Sequence, residues 1–160
     1  MINFNRILPE LFLGTHPRTN VDVQRLHGAL RVSAVLNLQT DEDFARWRVD
    51  WARLQRTYLE KGIVVERVPI VDFDADDLRA RLAAAVGALD EMLRSEHVVY
   101  LHCTAGAGRA PATAIAYLAW CRGWSIDRAH SFVTERRTCS PSMEAIRLAA
   151  ADRAATLRAP

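Results

Sequence analysis

Apolar residues along the chain follow two spacings, which separate short strands from helices. Four short runs are apolar at most positions and are bounded by polar or turn-forming residues, a pattern typical of buried strands. Several longer segments instead carry apolar residues three and four positions apart, which is the spacing of one helix face. The predicted strands are Leu11–Leu13, Ala34–Leu38, Val64–Pro69 and Val98–Leu101.

The predicted helices alternate with the strands in the first part of the chain and follow one another afterwards. Asn20 is expected to cap the first helix and Gly28 to end it. One apolar helical stripe runs from Phe44 to Tyr58, and the next runs from Leu78 to Leu93. This alternation predicts an α/β fold with a central, mostly parallel or mixed sheet flanked by helices. The last three helices are predicted at Ala110–Arg122, Ile126–Arg136 and Ser142–Thr156.

The composition is that of an ordinary globular domain. The chain has 160 residues, half of them apolar, and its formal net charge is only +2, so neither nucleic acid nor a membrane surface is expected as a partner. The longest apolar stretch, Ala114–Trp120, is far too short to span a bilayer. The three cysteines have spacings that predict no disulfide framework and no zinc site. Since the first residues do not resemble a targeting leader, a cytoplasmic protein is expected.

The segment with the clearest chemistry runs from His102 to Arg109, and it lies between a predicted strand and a predicted helix. In such a turn successive backbone amides can face inward, and the helix N-terminus adds positive potential, so the segment is expected to bind a tetrahedral oxyanion. Cys103 becomes a thiolate nucleophile in this field, Arg109 forms a two-pronged clamp, and His102 orients the loop. The remaining phosphate-binding positions are Thr104, Ala105, Gly106, Ala107 and Gly108.

An acidic cluster from Asp72 to Asp77 follows the third predicted strand and is the source of a candidate general acid. Asp76 is interpreted as the N-cap of the next helix, and Asp77 as a first-turn charge that interacts with the helix dipole. Asp72 stands earliest, where the end of the strand would meet the phosphate loop. It is therefore assigned the general-acid role, with Asp74 as the fallback or as a solvated residue.

These segments resemble the cysteine-dependent dual-specificity phosphatases, and among them the plant starch (glucan) phosphatases, with laforin as a more distant relative. The resemblance rests on the loop from His102 to Pro111 and on the acidic segment from Ile70 to Arg79, and it extends over nearly the whole chain. It implies a protein tyrosine phosphatase-like fold, with Cys103 as the nucleophile, Arg109 as the clamp and Asp72 as the acid. Like the glucan phosphatases, this chain has Ala110 where most dual-specificity phosphatases have a hydroxyl residue, which predicts slow turnover.

The resemblance also implies that aromatic residues around the cleft stack on sugar rings. The matching positions are Phe4, Trp47 and Phe73. Phe4 could equally be a core residue and Trp47 a packing residue on its helix, whereas Phe73 has no periodic reason to be buried. Exposure of all three around one channel would favour a sugar substrate, and their burial would favour a protein substrate.

The resulting hypothesis is a phosphatase that hydrolyses phosphomonoesters through a phosphocysteine intermediate, acting on a phosphorylated glucan or sugar. No metal or other cofactor is expected, because Arg109 and the loop amides supply the positive charge. The alternatives are a dual-specificity phosphatase of Tyr/Ser/Thr phosphoproteins and a non-catalytic phosphate-binding module. The catalytic domain is expected to span residues 1–157, with a frayed tail at residues 158–160 and no carbohydrate-binding module.

Overall fold

The computed structural model describes all 160 residues and contains one five-stranded mixed sheet with seven helices, which confirms the predicted fold class. The strand order is β1-β2-β5-β3-β4, in which β1 runs antiparallel to β2 and all other neighbours are parallel. The central strand β5 therefore ends at the middle of the sheet edge, where ligands bind in α/β proteins. The strands are β1 Phe4–Leu8, β2 Leu11–Gly14, β3 Ala34–Asn37, β4 Val64–Arg67 and β5 Val99–His102.

The sequence pattern did not predict β1. This strand contains Asn5 and Arg6 between its apolar residues, and only Ile7 in it is fully buried. An edge strand that is half exposed needs no continuous apolar run, so it has no signal of the kind that marks the central strands.

The seven helices largely agree with the apolar stripes, but the second predicted helix is in fact two helices. Arg48 adopts a left-handed conformation (φ 51°) and ends α2, and the Asp50 side chain then caps α3. Phe44 and Trp51 stack across this break with ring centroids 5.1 Å apart, so the apolar stripe continues although the backbone does not. The helices are α1 Asn20–Gly28, α2 Asp41–Trp47, α3 Trp51–Glu60, α4 Ala75–Arg94, α5 Arg109–Cys121, α6 Ile126–Arg136 and α7 Met143–Arg158.

Two predicted helix caps are wrong by one or two residues. The side chain that caps α1 is Thr19, which forms a reciprocal capping box with Asp22, and Asn20 is the first helical residue. The cap of α4 is Asp74, whose Oδ1 accepts the Asp77 amide at 2.9 Å, so Asp76 lies inside the first turn. A side-chain cap depends on the local backbone angle, which the order of polar residues does not reveal.

Side chains of the sheet alternate between two cores. Leu11, Leu36 and Leu101 belong to the larger core under α4, α5 and α7, whereas Val35 and Tyr100 point to the smaller core under α1 and α3. The sheet is therefore covered on both faces, and the carboxyl ends of β3 and β5 lie at the edge where the loops gather. No helix of this fold has both the length and the apolar character that crossing a membrane requires.

Candidate active site

The segment from Cys103 to Arg109 forms a tight loop between β5 and α5. Cys103 follows the last residue of β5 and is 3% exposed, and Arg109 is the first residue of α5. Gly106 has φ +65°, and a Cβ built there would lie 2.5 Å from the Gly14 carbonyl oxygen. Only glycine fits this position, because both the backbone angle and the close approach of β2 exclude a side chain.

The hydrogen bonds of this loop are strongly asymmetric. Every carbonyl from residue 103 to residue 108 accepts a hydrogen bond from the surrounding protein, whereas no amide from residue 104 to residue 108 has a protein acceptor. In a trans peptide the C=O and the following N–H point in opposite directions, so carbonyls held outward turn the amides inward. The donors that hold the carbonyls are the His102 Nδ1, the amides of His16, Ala112 and Ser140, and the Arg137 guanidinium.

Arg109 is buried beside this loop, and one side of its guanidinium is bound by the protein. Nη1 donates to Asp43 Oδ2 at 2.6 Å and to the Ile70 carbonyl at 2.8 Å. Nη2 lies 3.3 Å from Thr104 Oγ1, and Nε is buried without a protein partner. Nε is thus available to an oxyanion, and the Nε–Nη2 edge forms a bidentate contact when Nη2 exchanges its contact with Thr104 or Asp72 for the oxyanion.

Asp43 was not identified as a site residue from the sequence. It lies on α2, where its carboxylate also accepts the Thr40 amide at 2.9 Å and so completes a capping box. Burial by itself raises the pKa of Asp43, but hydrogen bonds from Arg109 and Thr40 outweigh this effect and hold the pKa below its usual value. In the sequence Asp43 is one of three acidic residues in the first turn of a helix, and its spacing from Thr40 indicates a capping box but not a contact with Arg109.

Asp72 lies across the cleft from the loop. Its Oδ2 is 3.2 Å from Arg109 Nη2, and its side chain is 37% exposed, so the carboxylate can reach both the phosphate position and solvent. Two of the other acidic residues of the segment have structural partners, since Asp74 caps α4 and Asp77 Oδ2 accepts a hydrogen bond from the Val71 amide at 2.7 Å. The structure therefore brings Asp72, and not Asp74, into contact with the clamp arginine.

The cleft in front of Cys103 has a volume of about 320 Å³ and two different walls. One wall is the segment that carries Val71, Phe73 and Leu78, and the other includes Ser140 and Ser142. Phe73 is 97% exposed, and its backbone has a left-handed conformation (φ 58°).

The three aromatic positions suggested by the resemblance do not share one channel lining. Only Phe73 lines the cleft. Trp47 is 44% exposed and packs edge-on against His16 at 6.2 Å, and Phe4 packs edge-on against Phe12 at 5.9 Å.

Two buried histidines lie behind the loop. Burial lowers the pKa of His102 to about 3 and that of His16 to about 4, so both rings are neutral at physiological pH. The His102 Nδ1–H donates to the Cys103 carbonyl at 2.9 Å, which places this ring behind the loop and not in the cleft. No group of three or more His, Cys, Asp or Glu side chains is arranged to hold a metal ion.

The sheet, the cysteine loop, the buried Arg109 and the facing Asp72 agree with the class of protein that the resemblance implies, the cysteine-dependent phosphatases. Residues 11–149 match the family described as dual specificity phosphatase, catalytic domain, and the chain belongs to this family. The predicted enzyme class, a phosphoric monoester hydrolase of the dual-specificity type, is thereby confirmed.

Individual relatives agree with the predicted resemblance. The chain is 40% identical over 155 residues to the amyloplastic phosphoglucan phosphatase DSP4 of Castanea sativa, covering 94% of this chain and 40% of the relative. It is 30% identical over 146 residues to laforin of Mus musculus, covering 85% of this chain and 44% of laforin. The chain thus spans less than half the length of these relatives. Among solved structures, a kinase associated phosphatase with its catalytic cysteine replaced by serine superimposes with a TM-score of 0.78 at 17% identity, covering 100% of this chain and 97% of that one.

Proposed function

We propose that this chain hydrolyses phosphomonoesters of a phosphorylated glucan or sugar through a phosphocysteine intermediate. The observation that carries the proposal is the loop itself. Its amides from residue 104 to residue 108 have no protein acceptor, and they connect Cys103 to Arg109, whose Nε also has no protein partner. Such an arrangement of donors fits a phosphoryl group held in front of a thiolate.

In the proposed first step, the loop amides and Arg109 bind the phosphoryl oxygens, and the Cys103 thiolate attacks phosphorus opposite the leaving oxygen. The S–P bond forms as the P–O bond to the sugar breaks, and Asp72 donates its proton to the departing oxygen. In the second step Asp72, now a carboxylate, takes a proton from a water molecule that attacks phosphorus. The S–P bond breaks, and the products are inorganic phosphate and the thiolate.

The first residues of α5 predict that hydrolysis of the phosphocysteine, the second step, is slower than its formation. Ala110, directly after Arg109, is fully buried and has no hydroxyl that could stabilise the departing thiolate. The Thr113 hydroxyl, one turn further along α5, donates to the Arg109 carbonyl at 3.0 Å and so has a structural partner. We therefore expect the phosphocysteine to accumulate during turnover.

The glucan assignment is supported by Phe73 and by the similarity of the chain to phosphoglucan phosphatases. An exposed ring at the mouth of the cleft offers a flat apolar surface for a sugar, and the serine hydroxyls of the opposite wall can bond to its hydroxyl groups. Neither Trp47 nor Phe4 lines the cleft, so they remain proposed contacts only for a glucan long enough to extend beyond the cleft.

A protein substrate is the alternative, and it is favoured by the fact that only one of the three aromatic positions lines the cleft. A non-catalytic phosphate-binding module is less well supported, since Cys103, Arg109 and Asp72 lie together. For the location we propose the cytoplasm, on the basis that all three cysteines are free. Cell fractionation with an antibody against the chain tests this proposal.

The test of the function is phosphate release from phosphorylated amylopectin and glycogen beside a phosphotyrosine peptide, with wild type and Cys103→Ser. We expect the wild type to prefer the glucans and the variant to have no turnover while it still binds inorganic phosphate. The matched control is Cys121→Ser, because Cys121 is exposed at the far end of α5. Preference for the peptide would refute the glucan assignment, and normal turnover by Cys103→Ser would refute the mechanism.

A further inference from the structure

Arg137 is a buried arginine that the mechanism above does not use. It follows the last residue of α6, is 6% exposed and uses all three of its guanidinium nitrogens in hydrogen bonds. Nε donates to the Gly106 carbonyl at 2.6 Å, and Nη2 donates to the Ala105 carbonyl at 3.0 Å. Arg137 therefore holds two consecutive carbonyls of the phosphate loop from behind.

The opposite side of the guanidinium is bound by the start of the chain. Nη1 donates to Asn3 Oδ1 at 3.1 Å and to Asn5 Oδ1 at 2.9 Å. Asn3 is itself fixed to the segment after β2, since its amide donates to Thr15 Oγ1 and its carbonyl accepts the Thr15 amide, both at 2.9 Å. The guanidinium thus joins β1, the end of α6 and the phosphate loop.

None of these acceptors carries a charge. No carboxylate lies within ion-pair distance of Arg137, whereas Arg109 contacts both Asp43 and Asp72. A buried cation is costly unless an anion offsets it. The proposed chemistry provides two anions at the loop that Arg137 holds, the Cys103 thiolate and the bound phosphoryl group, and a cation at this loop favours both.

We propose that Arg137 is a positioning residue of the phosphate loop. Because its guanidinium, held by Asn3 and Asn5, turns the Ala105 and Gly106 carbonyls outward, the amides of Gly106 and Ala107 face the phosphoryl oxygens. The inference rests on the proposed phosphatase chemistry but not on the identity of the substrate. The fit is close, since a Cβ at Gly106 would lie 2.8 Å from Arg137 Nη2.

The test compares Arg137→Met with Arg137→Lys and with the control Arg136→Met. Arg136 is the neighbouring residue, is exposed, and donates only to the Phe132 carbonyl of its own helix. Three quantities are measured with p-nitrophenyl phosphate as substrate: kcat, the inhibition constant of orthovanadate, and the pH at which iodoacetamide alkylates half of Cys103. None of these depends on glucan binding, so failure of the glucan assignment would leave this test unaffected.

For Arg137→Met we expect kcat to fall about a hundredfold and vanadate to bind about tenfold more weakly, the size of effect seen when oxyanion donors are lost. The midpoint of alkylation is expected to move to higher pH. Arg137→Lys keeps the charge but cannot bridge two carbonyls. Its alkylation midpoint should therefore lie closer to the wild-type value than its kcat does. Arg136→Met should behave as wild type in all three measurements.

A purely structural role would give a different result. If Arg137→Met unfolds at lower temperature but retains the vanadate affinity and the alkylation midpoint of the wild type, the proposal is overturned. If that variant does not fold, Asn5→Ala replaces it, because this change removes one acceptor on the side of the guanidinium away from the loop. Smaller shifts in the same direction are then expected, and wild-type values for Asn5→Ala would overturn the proposal.

Discussion

Asp43 and Arg109 form a buried ion pair, in which Asp43 Oδ2 accepts a hydrogen bond from Arg109 Nη1 at 2.6 Å. The side chains are 10% and 3% exposed, so this contact is well shielded from water. The Ile70 carbonyl accepts the same nitrogen at 2.8 Å and fixes the plane of the guanidinium. The protein itself therefore holds the Arg109 guanidinium in one orientation, which in the proposed mechanism spares the reaction the cost of ordering a phosphate clamp.

Replacing Asp43 tests the importance of this orientation. We expect Asp43→Ala to lower the free energy of unfolding by about 3 kcal/mol, because it leaves a buried guanidinium without its carboxylate. We expect kcat to fall as well, since the Nε–Nη2 edge is no longer held toward the loop. Urea unfolding and steady-state kinetics measure the two effects.

The matched control for this change is Asp41→Ala on the same helix. Its ion pair with Arg67 is exposed, with the aspartate side chain 91% accessible, so its stability and kcat should stay near the wild-type values. Equal losses in the two variants would show that the charge of the helix, and not the contact with Arg109, is responsible.

The general-acid assignment predicts a dependence on the leaving group. Asp72→Asn should lower kcat about 10²-fold or more for sugar phosphates, whose alkoxide must be protonated, and only slightly for aryl phosphates. Asp74→Asn should instead lower stability by about 1 kcal/mol through loss of the α4 cap and leave the leaving-group dependence unchanged. If Asp72→Asn slows both substrate types equally while Asp74→Asn shows the dependence, the acid is Asp74.

Substitutions at Phe73 are expected to affect substrate binding and stability in different ways. Phe73→Gly removes the exposed ring and relieves a left-handed backbone conformation, so we expect the free energy of unfolding to rise by about 0.5–1 kcal/mol. The KM for phosphorylated amylopectin should rise severalfold, whereas hydrolysis of p-nitrophenyl phosphate should stay the same. Phe73→Tyr serves as the control that keeps a ring. An unchanged KM for the glucan in Phe73→Gly would argue against stacking on Phe73.

The buried histidines predict that the fold is less stable in weak acid. Because burial lowers the pKa of His16 from 6.5 to about 4 and that of His102 to about 3, the unfolded chain takes up protons first as the pH falls. The contribution of the two histidines to the free energy of unfolding is therefore fully present above about pH 6.5 and decreases below it. At about pH 5 the loss is about 2 kcal/mol per histidine. Urea unfolding at a series of pH values measures this slope.

Two variants test whether the buried histidines cause this dependence of the free energy of unfolding on pH. His16→Gln should reduce the loss of stability between about pH 6.5 and pH 5 by roughly half, since it removes one of the two buried rings. His27→Gln serves as the control, because His27 is exposed on α1. A wild-type slope in His16→Gln would mean that His16 does not resist protonation in the folded protein.

The sequence was sufficient for the features that depend on neighbouring residues. Strands β2 to β5 and the stripes of the long helices have local apolar patterns. The loop from Cys103 to Arg109 has a local signal as well, because a strand, a glycine turn and a helix start follow one another within a few residues. The predictions failed where the neighbouring residues carry no such signal. The chain turns at Arg48 inside a continuous apolar stripe, and β1 is an edge strand with no apolar run.

The order of residues was thus enough to infer the fold class and the family, and it predicted a nucleophile loop and a candidate acid. The contacts that hold this loop and Arg109 in place are visible only in the folded protein. Asp43 is 66 residues from Arg109, Arg137 is 31 residues from Gly106, and Asn5 is 132 residues from Arg137. These groups meet because distant elements converge at the carboxyl edge of the sheet. A buried charge takes whichever polar side chains the packing brings to it, and no local pattern of residues specifies that choice.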